Sequence, residues 1–386
     1  MISIKLQLIS LLLLLDLCGC IHSRLQLLLP QKSDHNWIMY GGDKERKNFS
    51  SDILKLPLDS LWEYDAEAGF GSSAATAIGD ILFVGNLRGE VHAINFTTGK
   101  NVGFFDFGSA IVGTPLIDRE MMYVALANDG EGLVAYNLRT AKVIWRSAIG
   151  NIESSPLLVG NKIYITTLEG KLVCIEKEKG TNLWTFEISG NRKMRSIHSS
   201  PASDGNVIVF GCDNGSLYAV GINDGKLRWS AKTRASILAS PSIQEGKVFI
   251  GSTDSTFYAF DIRTGKQLWT QALSGKINSS QAVANKHVYI ATINRTIYCL
   301  AEDDGSIMWK INTNGVINSA PLVSGTTVYI GGLDKTLYAL DSRSGKIIWQ
   351  FKTGGRIKTM PVIFHKHLFI LTEDRSVVVL QERVNR

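Results

Sequence analysis

The chain is poor in proline and cysteine and carries no helical pattern in its body. Eight prolines and five cysteines stand among 386 residues. No stretch of the repeating region sets apolar residues at helical spacing over ten or more positions, which excludes helical repeats and bundles. Beyond Cys20 only Cys174, Cys212 and Cys299 remain, with no ligand pairs at short spacing, so no zinc site is written here. Three is an odd number, and packing in a core is the expectation for them. The net charge is +6, but the basic residues are scattered and not interleaved with stacking aromatics, which excludes a nucleic-acid role. No P-loop, no glycine-rich strand-to-helix turn and no Ser/His/Asp order is visible.

What is present is a period. A tract of about 40 residues recurs eight times. Its clearest copies end in Trp145, Trp184, Trp229, Trp269, Trp309 and Trp349; the last four are spaced by 40, and the earlier gaps are 39 and 45. One copy, Ile237 to Trp269, reads ILASP, KVFIG, TFYAFD and RTGKQLW, four short runs rich in β-branched and aromatic residues between turn residues. Four strands per copy is a propeller blade, and the expected fold is an all-β, eight-bladed propeller of four-stranded antiparallel blades. The last copy ends before any tryptophan strand. The missing strand is expected from DSLWEYD around Trp62, closing the ring and removing open sheet edges. The first copy has Gly103 and Phe104 where a tryptophan is expected.

Three columns run through the copies. A small residue recurs in the third strand (Ala93, Ala135, Cys174, Ala219, Ala259, Cys299, Ala339, with Val379 last), read as the space that receives a tryptophan ring from the neighbouring blade. An isoleucine, from Ile111 to Ile357, is read as opening the first strand, with Phe70 in the first copy. Small pairs such as Ser154-Ser155, Ser199-Ser200 and Ala239-Ser240 follow it, and six of the eight prolines come next, as an innermost edge strand tolerates. One position earlier stand Val112, Glu153, His198, Leu238, Asn278, Asn318 and Lys358. If the pleat aims them at the axis they form a mixed polar ring, and Glu153, His198, Asn278, Asn318 and Lys358 are candidate ligands for a small anion, a peptide terminus or a cell-wall fragment. With one carboxylate, that ring is a poor calcium site.

The N-terminus carries a short positive start, an apolar stretch from Leu6 to Leu17, and then Leu17-Cys18-Gly19-Cys20. The stretch is short for a membrane span and fits an export signal. Its end resembles the bacterial lipobox, with Cys20 as the lipidated residue; more than one acyl chain on it would anchor the chain stably. The expected division is 1–19 signal peptide, 20–57 lipidated tether and N-terminal segment, and 58–386 propeller, a monomeric ring. Leu25 to Leu29 is apolar enough to touch lipid or a partner.

The segments YAFDIRTGKQLW (258–269) and YALDSRSGKIIW (338–349) resemble the PQQ-like repeat of quinoprotein propellers, and NWIMYGGDKERKNFS (36–50) is similar to the start of PQQ-like propeller lipoproteins. One branch of that resemblance implies a PQQ-dependent dehydrogenase with PQQ and Ca²⁺ in the channel. The other, the BamB family, implies a non-catalytic lipoprotein scaffold without cofactor, on the periplasmic face of the outer membrane, assisting outer-membrane protein assembly or contacting other envelope proteins. An Asp after the lipidated cysteine would resemble an inner-membrane retention signal; Ile21 stands there instead. The gap of 45 reflects about five extra residues near GNRKMRS (190–196). By resemblance to the BamB loop that contacts the barrel subunit, Arg192, Lys193, Met194 and Arg195 are candidate partner-binding residues, with Met194 and Arg195 as anchors.

Overall fold

The structure, a computed structural model, describes residues 25–29, 36–72, 74–127, 130, 132–190 and 194–383. Among these residues eight antiparallel sheets follow one another around an axis. Seven are built from consecutive strands, over 76–106, 116–147, 157–187, 202–232, 242–272, 282–312 and 322–352. The eighth takes three strands from 362–382 and its outermost strand, Leu58–Asp65, from the other end of the chain. Trp62 there faces Val379, the register expected for closure of the ring.

Several blades share one local chemistry. In those over 76–106, 116–147, 242–272 and 322–352 the third and fourth strands are joined by a turn in which an Asp or Asn side chain holds the backbone. Asp261 Oδ1 accepts from the Thr264 amide at 2.8 Å and from its hydroxyl at 2.7 Å, and Asp341 does the same for Ser344. Every fourth strand then carries a bulge one residue ahead of the tryptophan position, as between Gln267 and Trp269. The residue at the bulge is left outside the ladder, and Ile144, Leu183, Leu268, Met308 and Ile348 are all exposed there.

The tryptophan contacts differ from the sequence expectation. The small third-strand residue lies opposite the ring within the same blade: Trp229 pairs with Ala219, Trp269 with Ala259, Trp309 with Cys299. The neighbouring blade supplies the turn glycine instead. A Cβ on Gly265 (φ +70°) would lie 2.6 Å from the Trp229 ring, and one on Gly345 (φ +71°) 2.6 Å from Trp309. The indole N–H also crosses the boundary, from Trp229 to the Ile262 carbonyl at 2.7 Å and from Trp309 to the Ser342 carbonyl at 2.9 Å. A ring this large needs free space on two sides, and the sequence columns showed only one of them.

The isoleucine column also shifts. Ile237 lies ahead of the first strand, which begins at Ser242, in the connection between blades. Its amide bonds back to the Cys212 carbonyl of the preceding blade at 3.1 Å, and its side chain fills the place of a Cβ on Gly211. The extended segment before the proline therefore belongs to two blades at once. Its small residues are held by hydroxyls. The amides of Ala74, Thr114, Ser155, Ser200 and Ser240 each donate to a hydroxyl one blade further on, those of Thr114, Ser155, Ser200, Ser240 and Ser280, at 2.8–3.0 Å. This ladder crosses five blade boundaries and stops where Ala320 and Met360 take the position. Ser200→Ala is expected to orphan the buried Ser155 amide and cost about 1–3 kcal/mol, read as a lower urea midpoint at unchanged slope.

The N-terminal segment is built into the ring. Trp37 exchanges two backbone bonds with Ala77, at 3.0 and 2.9 Å, and the carbonyls of Ile38, Lys44, Glu45, Lys47 and Asn48 accept amides from innermost strands of blades two, four, five, six and seven. Phe49–Ser50 then pairs in parallel with Leu322–Ser324 as a fifth strand. A plug thus closes one end of the axis and covers inner strand edges. Further upstream, the expectation that Leu25 to Leu29 meets lipid or a partner is corrected. Leu25 and Leu29 are buried against the first two blades, the Leu27 amide bonds the Leu138 carbonyl at 2.8 Å, and of these leucines only Leu28 is exposed. Cys174, Cys212 and Cys299 are free and buried; burial pushes the first two thiols up to about 11 and the third up to about 12.

Candidate functional site

The site is a well on the propeller axis. The extended connections put alternate residues on one side, so Glu153 and Ser155 both face the axis while Ser154 turns outward to the Thr166 carbonyl at 2.9 Å. The result is a cavity of about 340 Å³ lined by Glu153, His198, Leu238, Asn278, Asn318 and Lys358 toward its mouth and by Ser155, Ser200, Ser240 and Ser280 deeper in. The mouth residues are half-buried and the serines buried. Tyr40, from the plug, forms the floor, its hydroxyl 3.2 Å from that of Ser280. All five candidate channel residues named from the sequence face this cavity; Val112 is not among its lining residues.

Beneath the floor lies a buried cation. Arg46 is 1 % exposed and no carboxylate stands within ion-pair distance of it among the described residues. Its guanidinium donates to the carbonyls of Pro201 (3.0 Å), Ser155 (3.2 Å), Pro156 (3.0 Å) and Tyr40, and stacks 5.4 Å from the Tyr40 ring centre. Burial pulls its pKa down to about 10, still protonated at neutral pH. Five donors in a rigid fork suit a cage of carbonyls, and a lysine has no such geometry.

Two charged groups flank the mouth. His198 lies between carboxylates, Nδ1 2.8 Å from Glu153 and Nε2 3.4 Å from Asp213. Hydrogen bonds to Asp213 and then Glu153 push the imidazole up to about 10, and the same bond to His198 lowers Glu153. On the opposite side Lys358 pairs with Glu373, whose other oxygen is 3.8 Å from Arg356 Nε. The imidazole is therefore expected to stay protonated at pH 8. Its contribution to stability is fully present below its ordinary value of 6.5 and lost as pH rises through about 10. Glu153 contributes in the other sense, above 4.5, with the gain lost as pH falls through its lowered value. Solvent at the mouth keeps both small. Imidazole ¹⁵N shifts across a pH series check this, and a His198 midpoint near 6.5 in the native protein would contradict it.

The sequence reading counted one carboxylate at this ring and missed Asp213 and Glu373. Both stand just past the second strand, in a column with Leu87, Ala127, Leu168, Thr253, Ile293 and Leu333. Each amide in that column bonds a carbonyl just ahead of the isoleucine, as Asp213 to Ser196 at 3.0 Å and Glu373 to Arg356 at 2.9 Å. Charge appears at only two of its eight positions, and that is the signal that could have found them.

The residues present do not fit PQQ with calcium. A calcium ion takes six to eight oxygen ligands. Here Glu153 and Asp213 are spent on His198, and Glu373 on Lys358 and Arg356.

The other candidate site lies on the rim. Met194 is 55 % exposed. Arg195 is turned inward, with Nη1 2.9 Å from Glu187 and 3.1 Å from the Ile188 carbonyl, and its chain packs where Gly170 leaves no Cβ. Arg192, Lys193 and Cys20, with the rest of residues 1–24, lie outside the described residues.

The family model for the outer membrane protein assembly factor BamB matches residues 59–198, 191–278 and 258–383. BamB of Escherichia coli K12 is 25% identical over 177 residues, 43% of this chain and 43% of that protein. BamB of Burkholderia pseudomallei is 24% identical over 181 residues, 46% and 47% of the two chains. The chain spans just under half the length of these curated relatives. A tetrathionate hydrolase of Acidithiobacillus ferrooxidans is 27% identical over 124 residues, 31% of this chain and 24% of that one. Among solved structures, BamB from Moraxella catarrhalis superposes with TM-score 0.72 at 17% identity, covering 84% of this chain and 100% of the other. A europium-containing methanol dehydrogenase gives 0.78 at 13%, covering 88% and 90%. Enzymes and assembly factors thus share this ring, and at such identity the superpositions show the fold alone. The family model, matched along the whole propeller, is the finding that assigns kinship: this chain belongs to the family of the outer membrane protein assembly factor BamB.

Proposed function

We propose that the protein is a non-catalytic scaffold, lipid-anchored at Cys20 to the periplasmic face of the outer membrane, that assists outer-membrane protein assembly through contacts of its rim. The observation that carries this reading is the family match across residues 59–383. The donor set of the well supports it, since its carboxylates are set in ion pairs on two separate walls and do not assemble the oxygen cage of a calcium-dependent cofactor. The insertion near 190–196 is the contact we assign, with Met194 as its exposed apolar residue and Arg195 paired with Glu187 beside it. A flexible thioether side chain is suited to an adaptable contact.

The test separates contact from support. Met194→Glu is expected to abolish co-purification of the barrel-assembly subunits from detergent-solubilised membranes and to leave the thermal transition unchanged. Co-purification that survives Met194→Glu contradicts the loop assignment. Loss of Cys20 (Cys20→Ser) is expected to release the protein from the membrane fraction.

A further inference from the structure

The well on the axis is a built site that the scaffold reading does not use. It is blind, because Tyr40 closes its floor. Its two charged groups oppose each other. His198 precedes the fourth blade and Lys358 the eighth, so half a ring separates them. Glu153, Asp213 and protonated His198 sum to one negative charge; Lys358, Arg356 and Glu373 sum to one positive charge. The mouth is a dipole with its ends on facing walls.

The wall between the poles offers unused hydrogen-bond donors. The hydroxyls of Ser155, Ser200 and Ser240 each accept a backbone amide from the preceding blade. An accepting hydroxyl still has a hydrogen to give, and these three give theirs to no group of the described residues. The cavity therefore presents several donors between a negative and a positive end.

We propose that the axial well binds a short peptide with both ends free. Its ammonium group faces the Glu153–His198–Asp213 cluster, which keeps one net negative charge, and its carboxylate faces the Lys358–Arg356–Glu373 cluster, which keeps one net positive charge. Its carbonyl takes a serine hydroxyl. The cavity volume of about 340 Å³ suits a ligand of two or three small residues. A simple anion would leave the Glu153 side unmatched, and a simple cation the Lys358 side.

The test is calorimetric titration of the full-length protein with dialanine and trialanine. The controls are the N-acetylated forms, which lack the ammonium, and the C-amidated forms, which lack the carboxylate. At least one free peptide is expected to bind with a dissociation constant on the order of 1 mM or tighter, and blocking either end is expected to weaken it roughly tenfold or more. Glu153→Gln is expected to remove the penalty of acetylation, and Lys358→Met that of amidation. No binding by either free peptide, equal binding of blocked and free forms, or sensitivity to only one end overturns the proposal. The wild-type arms decide it even if a variant folds poorly, and a surviving rim contact in the co-purification assay leaves this result independent of the scaffold reading.

Discussion

Replacing Arg46 with alanine is expected to cost about 3–5 kcal/mol, much of the whole stability of an ordinary domain. The guanidinium is buried and bonds carbonyls from the plug and from the connections into blades three and four. Truncation strands those carbonyls away from water, at about 1–3 kcal/mol for each group that finds no new partner. It also removes the support under Tyr40 and so the floor of the well. Arg46→Lys is expected to fall between alanine and wild type, because an ammonium reaches fewer of the carbonyls and gives up the planar stack. Urea denaturation monitored by tryptophan fluorescence measures the loss. Limited proteolysis locates it, with new cleavage expected within 36–57. A midpoint unchanged in Arg46→Ala would show that the plug is held by its backbone bonds alone.

The second large effect lies at the blade boundaries. Trp309→Ala is expected to cost about 3–5 kcal/mol. It empties the space between Cys299 and Gly345 and orphans the Ser342 carbonyl on the side the indole N–H served. Gly345→Ala is expected to cost about 1–3 kcal/mol, because a methyl would enter the ring at 2.6 Å and the backbone is left-handed there. The two together are expected to cost less than their sum, since the emptied indole space accepts the methyl. That non-additivity is the signature of direct contact across the boundary. Additive losses would mean that glycine is required for its backbone angle alone.

The blade count and the closure were legible because they repeat. Trp62 read as the missing strand of the last blade, and it pairs with Val379 as that reading requires. The axial ring was legible for the same reason, since Glu153, His198, Asn278, Asn318 and Lys358 occupy one register of the period and face one cavity. Features outside the period were hidden. The plug occurs once, so Arg46 read as one basic residue in DKERKNF and not as a buried cation. The serine pairs read only as small residues ahead of the prolines, while their hydroxyls carry amides from blade to blade. Period shows which residues share a place; it does not show which atoms they exchange there. Arg195 makes the same point: it read as a partner anchor, and in the structure it pairs with Glu187 at the end of the preceding strand.

The central claim is that this ring works through its rim. A photo-crosslinking amino acid at position 194, in living cells, tests it most directly. The account predicts an adduct, identified by mass spectrometry, with a subunit of the outer-membrane β-barrel assembly machinery, and no such adduct from a control position on the outer strand at 268. Equal labelling from both positions, or adducts confined to proteins outside that machinery, would contradict it.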